Sequence, residues 1–174
     1  MTTSGPHALV ATVSAGTLRE AIGRFATGVT VVTSIAGHDE PVGTTASAVS
    51  SLSLDPPLVL VCLDRASRTL AALREHGAFA INVLTADQRD VATNFARRGQ
   101  AAAWEAVAHG RGPTGCPRLD DVLAVLDCAV ERCLPGGDHE IVVGRVRDVA
   151  TGAEDAGPLL HYRGAYASLG GGAA

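Results

Sequence analysis

Apolar residues along the chain fall in short runs, and most of these runs have the two-residue period of β-strands. A segment rich in Val and Thr, 28–37, leads through a polar turn at 37–40 into the segment 41–54. Residues 58–63 and 79–84 are short, nearly continuous apolar runs bounded by turn residues. This arrangement predicts a strand, a turn and a second strand, followed by two buried strands.

The second half of the chain has the same character. Residues 123–132 alternate, with Leu126, Cys128 and Val130 on one face and Asp127 on the other, which predicts a strand with one solvated face. The GGDH sequence at 136–139 predicts a hairpin turn, and 140–150 predict the returning strand. Residues 158–169 predict one or two further short strands.

Helical spacing is limited to three segments. Thr17 and Glu20 form a capping-box pattern ahead of Leu18, Ile22 and Phe25, which predicts a short helix beginning at Thr17. Segments 65–77 and 87–98 predict two more, and a helical turn is expected near residue 104. Six or seven strands with two or three helices between them favour an antiparallel barrel with peripheral helices over a doubly wound sheet. We expect one domain over 17–169, with a flexible lead-in at 1–16 and a flexible tail at 170–174.

The charge and composition exclude several partners. All 14 basic residues are Arg, and the formal net charge is −4. Aromatic residues make up 3% of the chain. A nucleic-acid binder needs a basic stripe or an aromatic stacking platform, and an anionic membrane needs a basic surface, so we expect neither partner.

The cysteines and the apolar runs bear on location. The four cysteines show no CxxC pair and no repeated spacing, which is typical of free thiols in a cytoplasmic protein. No basic residue precedes Arg19, and no apolar run approaches the 18 or so residues of a membrane span. We therefore expect a cytoplasmic chain with neither a secretory signal nor a transmembrane helix.

Several well-known catalytic motifs are absent. Gly110, Gly112 and Gly115 match G-x-G-x-x-G, but a helix-like segment precedes them and Pro113 lies among them. The dinucleotide fingerprint needs a strand before and a helix after, so this match predicts an ordinary loop. The sequence has no G-x-S-x-G, Walker or HExxH motif, and its six histidines lack metal-ligand spacing, so no metal is expected.

Two hydroxyl-rich segments remain as candidates for a site. The first, within 44–53, has many Ser and Thr and little bulk, unlike a hidden core strand. The second, Ser67-Arg68-Thr69, lies between a buried strand and a helix. Hydroxyls, free helix N–H groups and a guanidinium fit a phosphate-binding turn, and the same residues fit a plain N-cap with a surface arginine. The residues alone leave both interpretations open.

The order of motifs resembles the flavin reductase family with an FMN-binding split barrel, the reductase components of two-component flavin-dependent monooxygenases. The matching segments, over roughly 17–169, are FATGVTVVTS, GTTxSAxSSLSLDPPLVLVCL, SxT, FAINVL, NFA, GxPxL, LDC, GDH and PLLxYRG. The resemblance implies a mainly β fold, an antiparallel six-stranded split β-barrel of Greek-key type with two or three peripheral helices.

The resemblance also implies the residues that contact the flavin. The hydroxyl-rich strand lines the isoalloxazine ring, the following buried strand passes beneath it, and the SxT and NFA segments hold the phosphate end. Carried over position by position, the contacts are Gly43, Thr44, Thr45, Ala46, Ser47, Ala48, Ser51, Cys62, Asp64, Ser67, Arg68, Thr69, Phe95, Ala96 and Arg97. With no Lys in the chain, Arg97 or Arg98 supplies the cation at the phosphate end.

For the nicotinamide cofactor the resemblance implies His139, in the GDH turn, with Tyr162 and Arg163 near the pocket. His139 is also the candidate catalytic residue, although hydride transfer between two cofactors needs no protein nucleophile. Cys128 is expected in the core. Two positions depart from the family: Val49 and His161 stand where aromatics are common.

The implied function is an NAD(P)H:flavin oxidoreductase that passes hydride from NADH to FMN or FAD and supplies reduced flavin to a partner monooxygenase. The choices between FMN and FAD and between NADH and NADPH stay open. A homodimer is expected from the resemblance. The alternative is a split barrel that binds flavin tightly, acting on another substrate or as a non-catalytic flavin-binding module.

Overall fold

A computed structural model of the chain describes residues 12–97, 101–152 and 155–169. The predicted tail, Arg98 and residues 1–11 of the predicted lead-in lie outside these ranges. The helices in the described ranges are α1 (Ala15–Ile22), α2 (Arg68–His76), α3 (Arg89–Phe95) and α4 (Ala101–Glu105), with a 3₁₀ turn at Ala86–Gln88 ahead of α3. The first three correspond to the helices predicted, and α4 corresponds to the helical turn expected near residue 104.

Strands make up most of the described chain, and every paired strand is antiparallel. They are β1 (Thr27–Gly28), β2 (Thr30–Ala36), β3 (Glu40–Ala46), β4 (Val49–Leu54), β5 (Pro57–Asp64), β6 (Ala78–Val83), β7 (His109–Arg111), β8 (Pro117–Leu119), β9 (Ala124–Gly136), β10 (His139–Thr151), β11 (Leu159–Tyr162) and β12 (Ala165–Ser168). The predicted mainly β class is confirmed.

The principal sheet has the strand order β3-β2-β6-β9-β10-β5-β4, which is seven strands in the described residues, one more than the six that the resemblance implies. The extra strand arises because the hydroxyl-rich segment 41–54, expected to be one strand, breaks at Ser47 and Ala48 into β3 and β4. The Cys62 amide donates a hydrogen bond to the Ala48 carbonyl at 2.9 Å. This bond joins β5 to the connection between β3 and β4, so the sheet curls until its two ends meet.

Two apolar clusters lie on the two faces of this curved sheet. Alternate residues of each strand point to opposite faces, so Val31 and Val32 of β2 belong to different clusters. The cluster inside the curve is completed by α2, which contributes Leu70 and Leu73. The cluster on the outer face is covered by α3 and α4. Each helix thus covers one face of the sheet.

The first helix begins earlier than the capping-box pattern predicts. Ser14 is the N-cap, and its hydroxyl accepts the Thr17 amide at 3.1 Å. Thr17 lies within the first turn of α1, where its hydroxyl bonds that of Ser14 at 2.8 Å. The prediction failed because two candidate caps stand three residues apart, and the earlier one caps the helix.

Asp127 is fully buried, although the alternation of β9 predicts it on the solvated face. Its carboxylate accepts hydrogen bonds from Arg118 Nε and from Thr114 Oγ1, both at 2.6 Å. The glycine-rich loop covers it, and a Cβ on Gly112 would lie only 2.2 Å from Asp127 Oδ1. Gly112 and Gly115 lie in a loop between β7 and β8, as predicted, whereas Gly110 lies within β7. The loop that holds Gly112 explains the burial of Asp127.

None of the helices in the described residues is long and apolar enough to cross a membrane.

The substitution Gly144→Ala tests how tightly residues are packed inside the curved sheet beside β10. A Cβ built on this glycine of β10 would lie 2.4 Å from Phe79 Cζ and 3.0 Å from Cys128 Cβ. Gly144→Ala should therefore destabilise the fold by about 1–3 kcal/mol through overpacking. Thermal unfolding measures this as a fall in Tm of several degrees.

Gly110→Ala is the matched control, because a Cβ on Gly110 in β7 meets nothing within 4 Å. An unchanged Tm for Gly144→Ala would mean that Phe79 does not fill the space beside β10.

Candidate functional site

A cavity, here called the first lobe, lies where the two ends of the curved sheet meet. This first lobe has a volume of about 240 Å³. Its walls come from the end of β3, the end of β5, the start of α2 and the start of β10. They comprise Thr44, Thr45, Ala46, Ser47, Ala48, Cys62, Leu63, Asp64, Ser67 and His139. The structure thus brings together two segments and a turn histidine that the sequence analysis selected separately.

Backbone groups and small side chains form most of this wall. The Thr45 hydroxyl donates to the Ala92 carbonyl at 2.6 Å, so its proton is committed to α3. The Asp64 carboxylate accepts the Ala66 amide at 2.7 Å and stabilises the turn into α2. Small side chains of this kind leave room for a planar ring to approach the backbone closely.

Of the Ser67-Arg68-Thr69 turn, only Ser67 lines the cavity. Ser67 is the N-cap of α2, and its hydroxyl accepts the Leu70 amide at 3.4 Å. Arg68 forms an exposed ion pair with Glu40, and Thr69 is buried. The N-cap interpretation is therefore realised here, and the cavity meets the turn at one hydroxyl.

A second, smaller lobe adjoins the first and shares Thr45 and Ser47 with it. Its volume is about 140 Å³, and the remaining lining residues are Val29, Ala96, His161 and Tyr166. The His161 and Tyr166 rings meet edge to face at 6.0 Å, and the Arg89 guanidinium lies 6.0 Å from the Tyr166 ring centre. Burial raises the pKa of Tyr166, while a hydrogen bond with Thr93 and the charge of Arg89 act in the opposite direction.

Sequence reasoning did not select Tyr166, and it named His161 only as a departure from the family. In the structure, Arg163 and Gly164 both have positive φ angles, of 50° and 78°. Two such residues make a tight hairpin turn, and that turn pairs His161 with Tyr166.

Tyr162 and Arg163, expected near the nicotinamide, line neither lobe. Tyr162 is exposed at the end of β11, and the Arg163 amide donates to the Gly23 carbonyl at 2.7 Å. This hairpin end therefore contacts the C-terminal end of α1.

Four other expected flavin contacts lie away from the two cavity walls. Gly43 is buried, and a Cβ there would lie 2.9 Å from Phe95 Cε1. Phe95 is buried and packs edge to face on Trp104, with ring centres 4.8 Å apart. Ser51 is exposed on β4, and Arg97 is exposed just beyond α3. Gly43 and Phe95 thus support the cavity from behind, whereas Ala96 reaches the second lobe.

His139 begins β10 and interacts with the preceding residue. Its Nδ1 lies 2.7 Å from Asp138 Oδ1. The hydrogen bond with His139, and then the charge of His139, lower the pKa of Asp138. The cavity wall therefore carries an imidazole held by a carboxylate that is ionised at neutral pH.

The four cysteines are all free thiols. Cys116 and Cys128 are buried, and burial raises the pKa of Cys116 and raises that of Cys128 to about 12. Cys62 lies on the wall of the first lobe and is partly exposed. Cys133 is also partly exposed. Among the described residues, no cluster of His, Cys, Asp and Glu could hold a metal ion.

Comparisons with known proteins bear on this geometry. The model of the flavin reductase like domain matches residues 22–170. The chain is 44% identical over 155 residues to a Rhizobium meliloti protein named "Probable flavin reductase", which covers 86% of this chain. The chain spans about half (47%) of that protein.

Two further relatives match over most of their length. The reductase subunit of a flavin-dependent monooxygenase from Mycobacterium tuberculosis is 37% identical to this chain. The match covers 88% of this chain and 81% of the length of that subunit. A solved NADH:FAD oxidoreductase from Streptomyces globisporus, in complex with NAD and FAD fragments, superposes with a TM-score of 0.85. That structure is 34% identical and covers 91% of this chain and 94% of its own. The chain belongs to the flavin reductase family.

Thiol reactivity tests the placement of the cysteines. A buried thiol with a raised pKa forms little of the reactive thiolate, so Cys116 and Cys128 should react slowly in the folded protein. We expect a disulfide reagent at pH 8 to modify Cys62 and Cys133 first.

The double variant Cys62→Ser, Cys133→Ser should therefore be modified only after unfolding in denaturant. Rapid modification of this variant in the folded state would contradict the burial of the other pair.

Proposed function

We propose that this protein is an NADH-dependent flavin reductase that reduces FMN or FAD and supplies the reduced flavin to a separate monooxygenase. The observation that carries the proposal is the first lobe, a cavity walled by small residues at the positions that the family uses for flavin. The named activities of the relatives support the direction of the reaction. One is called an NADH:FAD oxidoreductase, and another is a monooxygenase reductase subunit.

The residues present fit a flavin. The first lobe is lined largely by small residues, so a tricyclic ring is not obstructed by bulky side chains. The second lobe adjoins it through Thr45 and Ser47 and adds two aromatic rings, so a ligand longer than the first lobe has room to extend. Residues 44–48 and 62–64 would line the ring, and Ser67 offers a hydroxyl beside the N–H groups of α2.

The role of the protein in the reaction is positioning. Bound flavin supplies the redox chemistry by accepting hydride from reduced nicotinamide. Backbone N–H groups around Ala46 to Ala48 offer neutral donors for the polar edge of the ring, where negative charge develops on reduction. His139 lies on the same wall and offers a hydrogen bond to the nicotinamide. Stacking two planar rings at reacting distance requires a flat wall, which side chains of this size provide.

The decisive experiment measures NADH oxidation at 340 nm with and without added FMN or FAD. We expect turnover that requires added flavin and saturates with it. The flavin with the higher kcat/KM is then the physiological one. Flavin binding without NADH oxidation would instead support a flavin-binding module.

Ser47→Leu tests the location of the flavin site within this experiment. The larger side chain projects from the wall shared by both lobes, so we expect flavin affinity to fall at least tenfold, or about 1.4 kcal/mol. Ser50→Leu makes the same change at an exposed position of β4 outside both cavity linings, and it should retain wild-type affinity. Equal affinities in the two variants would place the flavin elsewhere.

We also propose a homodimer, on the basis of the exposed apolar face of α1. Leu18 and Ile22 are exposed on α1, and Phe25, which follows the helix three residues beyond its end, is 70% exposed. None of the residues of α1 is buried. An amphipathic helix normally buries such a stripe, so a second copy of the chain is the expected occupant.

The free thiols fit a reducing compartment, and cytoplasmic location stays a prediction.

Ile22→Glu tests this interface. A charge in the middle of the apolar stripe should shift the protein from dimer to monomer in sedimentation or light scattering. Arg19→Glu is the matched control, because it places a carboxylate on the same helix outside the apolar stripe. A wild-type protein that is monomeric at micromolar concentration would contradict the proposal.

A further inference from the structure

The backbone of His139 is fixed from both sides. It pairs with Asp64 of β5 and with Gly136 of β9, at the closed end of the β9–β10 hairpin. The carbonyl of Asp138 accepts the Arg65 amide at 3.1 Å, which ties the turn to the loop after β5. Because the main chain is held in this way, the orientation of the imidazole depends on its side-chain contacts.

The hydrogen bond between Asp138 and His139 determines which ring nitrogen carries the proton. An ionised carboxylate can only accept, so Nδ1 must donate to Asp138 Oδ1 across 2.7 Å. In the neutral ring the other nitrogen, Nε2, is then an acceptor. Asp138 is 94% exposed in its side chain, whereas His139 lines the first lobe. The carboxylate thus acts from outside the cavity on a group that lies on its wall.

The neighbouring charged side chains do not replace Asp138 as the hydrogen-bond partner of His139. Asp64 faces the same end of the hairpin, but its Oδ1 accepts the Ala66 amide at 2.7 Å. Arg65 lies near Asp138, and its positive charge also lowers the pKa of that carboxyl. Glu140, next in the chain, is nearly buried and pairs with Arg74 of α2. Within the described residues, Asp138 is the carboxylate hydrogen-bonded to His139.

We propose that Asp138 is a positioning residue, which holds His139 in the tautomer whose Nε2 accepts a hydrogen bond from a primary amide bound at the first lobe. This inference rests on the proposed function, because the carboxamide of nicotinamide is the amide that such a reductase brings to this wall. The role of Asp138 is to keep an acceptor, rather than a donor, turned to that amide. A cavity-wall histidine of the opposite tautomer would present Nε2–H, which pairs with the carbonyl oxygen of an amide, so the tautomer sets which end of the amide His139 binds.

The tautomer is measured on the neutral ring by nitrogen-15 NMR of the imidazole. In the wild-type protein we expect His139 to carry its proton on Nδ1. Asp138→Asn should allow the opposite tautomer, because an amide can donate to Nδ1, as known for the corresponding change in serine proteases. Wild-type protein with the proton on Nε2 would overturn the proposal, whatever the enzyme's turnover.

The kinetic arm uses the same variant. Losing one neutral hydrogen bond should raise the KM for NADH roughly two- to tenfold. The affinity for flavin should stay unchanged, which a general loss of structure would not allow. Asp39→Asn is the matched control, since Asp39 is another exposed turn aspartate in an ion pair, with Arg111 at 2.8 Å. It should leave both constants at the wild-type values.

A double-variant cycle separates positioning from a direct contact. If Asp138 acts through His139, then Asp138→Asn should have no further effect on the KM for NADH in a His139→Gln background. Additive effects of the two substitutions would overturn the proposal. A wild-type protein that binds flavin but does not oxidise NADH would refute the proposed function, and with it the binding of the nicotinamide amide to His139. In that case a proton found on Nδ1 by NMR would still support the positioning of His139 by Asp138.

Discussion

The closure of the sheet at residues 47–48 is the constraint on which the rest of the structure depends. β3 and β4 are joined by only two residues, and the Cys62 amide reaches the Ala48 carbonyl at 2.9 Å. The closure also forms the wall of the first lobe. The cavity is therefore a consequence of how the barrel closes, and a substitution that widens the junction changes both.

The two helices beside the cavity link it to the two apolar clusters. α2 places Leu70 and Leu73 inside the curved sheet, and its N-cap, Ser67, lies on the first lobe. α3 places Phe95 on the outer face, and Ala96, its C-cap, lies on the second lobe. Each helix is anchored by its apolar residues and has one terminus at the site. The packing of the core therefore sets the positions of the N-terminus of α2 and the C-terminus of α3.

The strands were predictable because their patterns are local. Apolar runs such as 58–63 and the alternation of β9 follow directly from burial on one face or two. The burial of Asp127 was not predictable from the alternation of β9, since it depends on Arg118, Thr114 and a glycine loop outside that strand, which the fold lays over it. The split of 41–54 into two strands likewise depends on contact with β5.

The same distinction explains which site residues the sequence could locate. The motif resemblance selected both Ser47 and Gly43, but only the fold shows that Ser47 faces the cavity while Gly43 supports Phe95 from beneath. Tyr166 was missed because its place beside His161 comes from hairpin register rather than from a motif. Motifs therefore located the segments, and side-chain direction within each segment required the tertiary structure.

The charges around the first lobe suit a ligand that must leave. Arg68, the cation nearest in sequence to the phosphate-like turn, pairs with Glu40 in solvent and lines neither lobe. The ionisable groups on the first lobe's wall are Cys62, Asp64 and His139, and none of them is a permanent cation. Binding at such a wall depends on ring contact and neutral donors, each of which contributes modestly. The proposed function, in which reduced flavin passes to a second enzyme, requires this balance, because a buried cation paired with the phosphate would slow release.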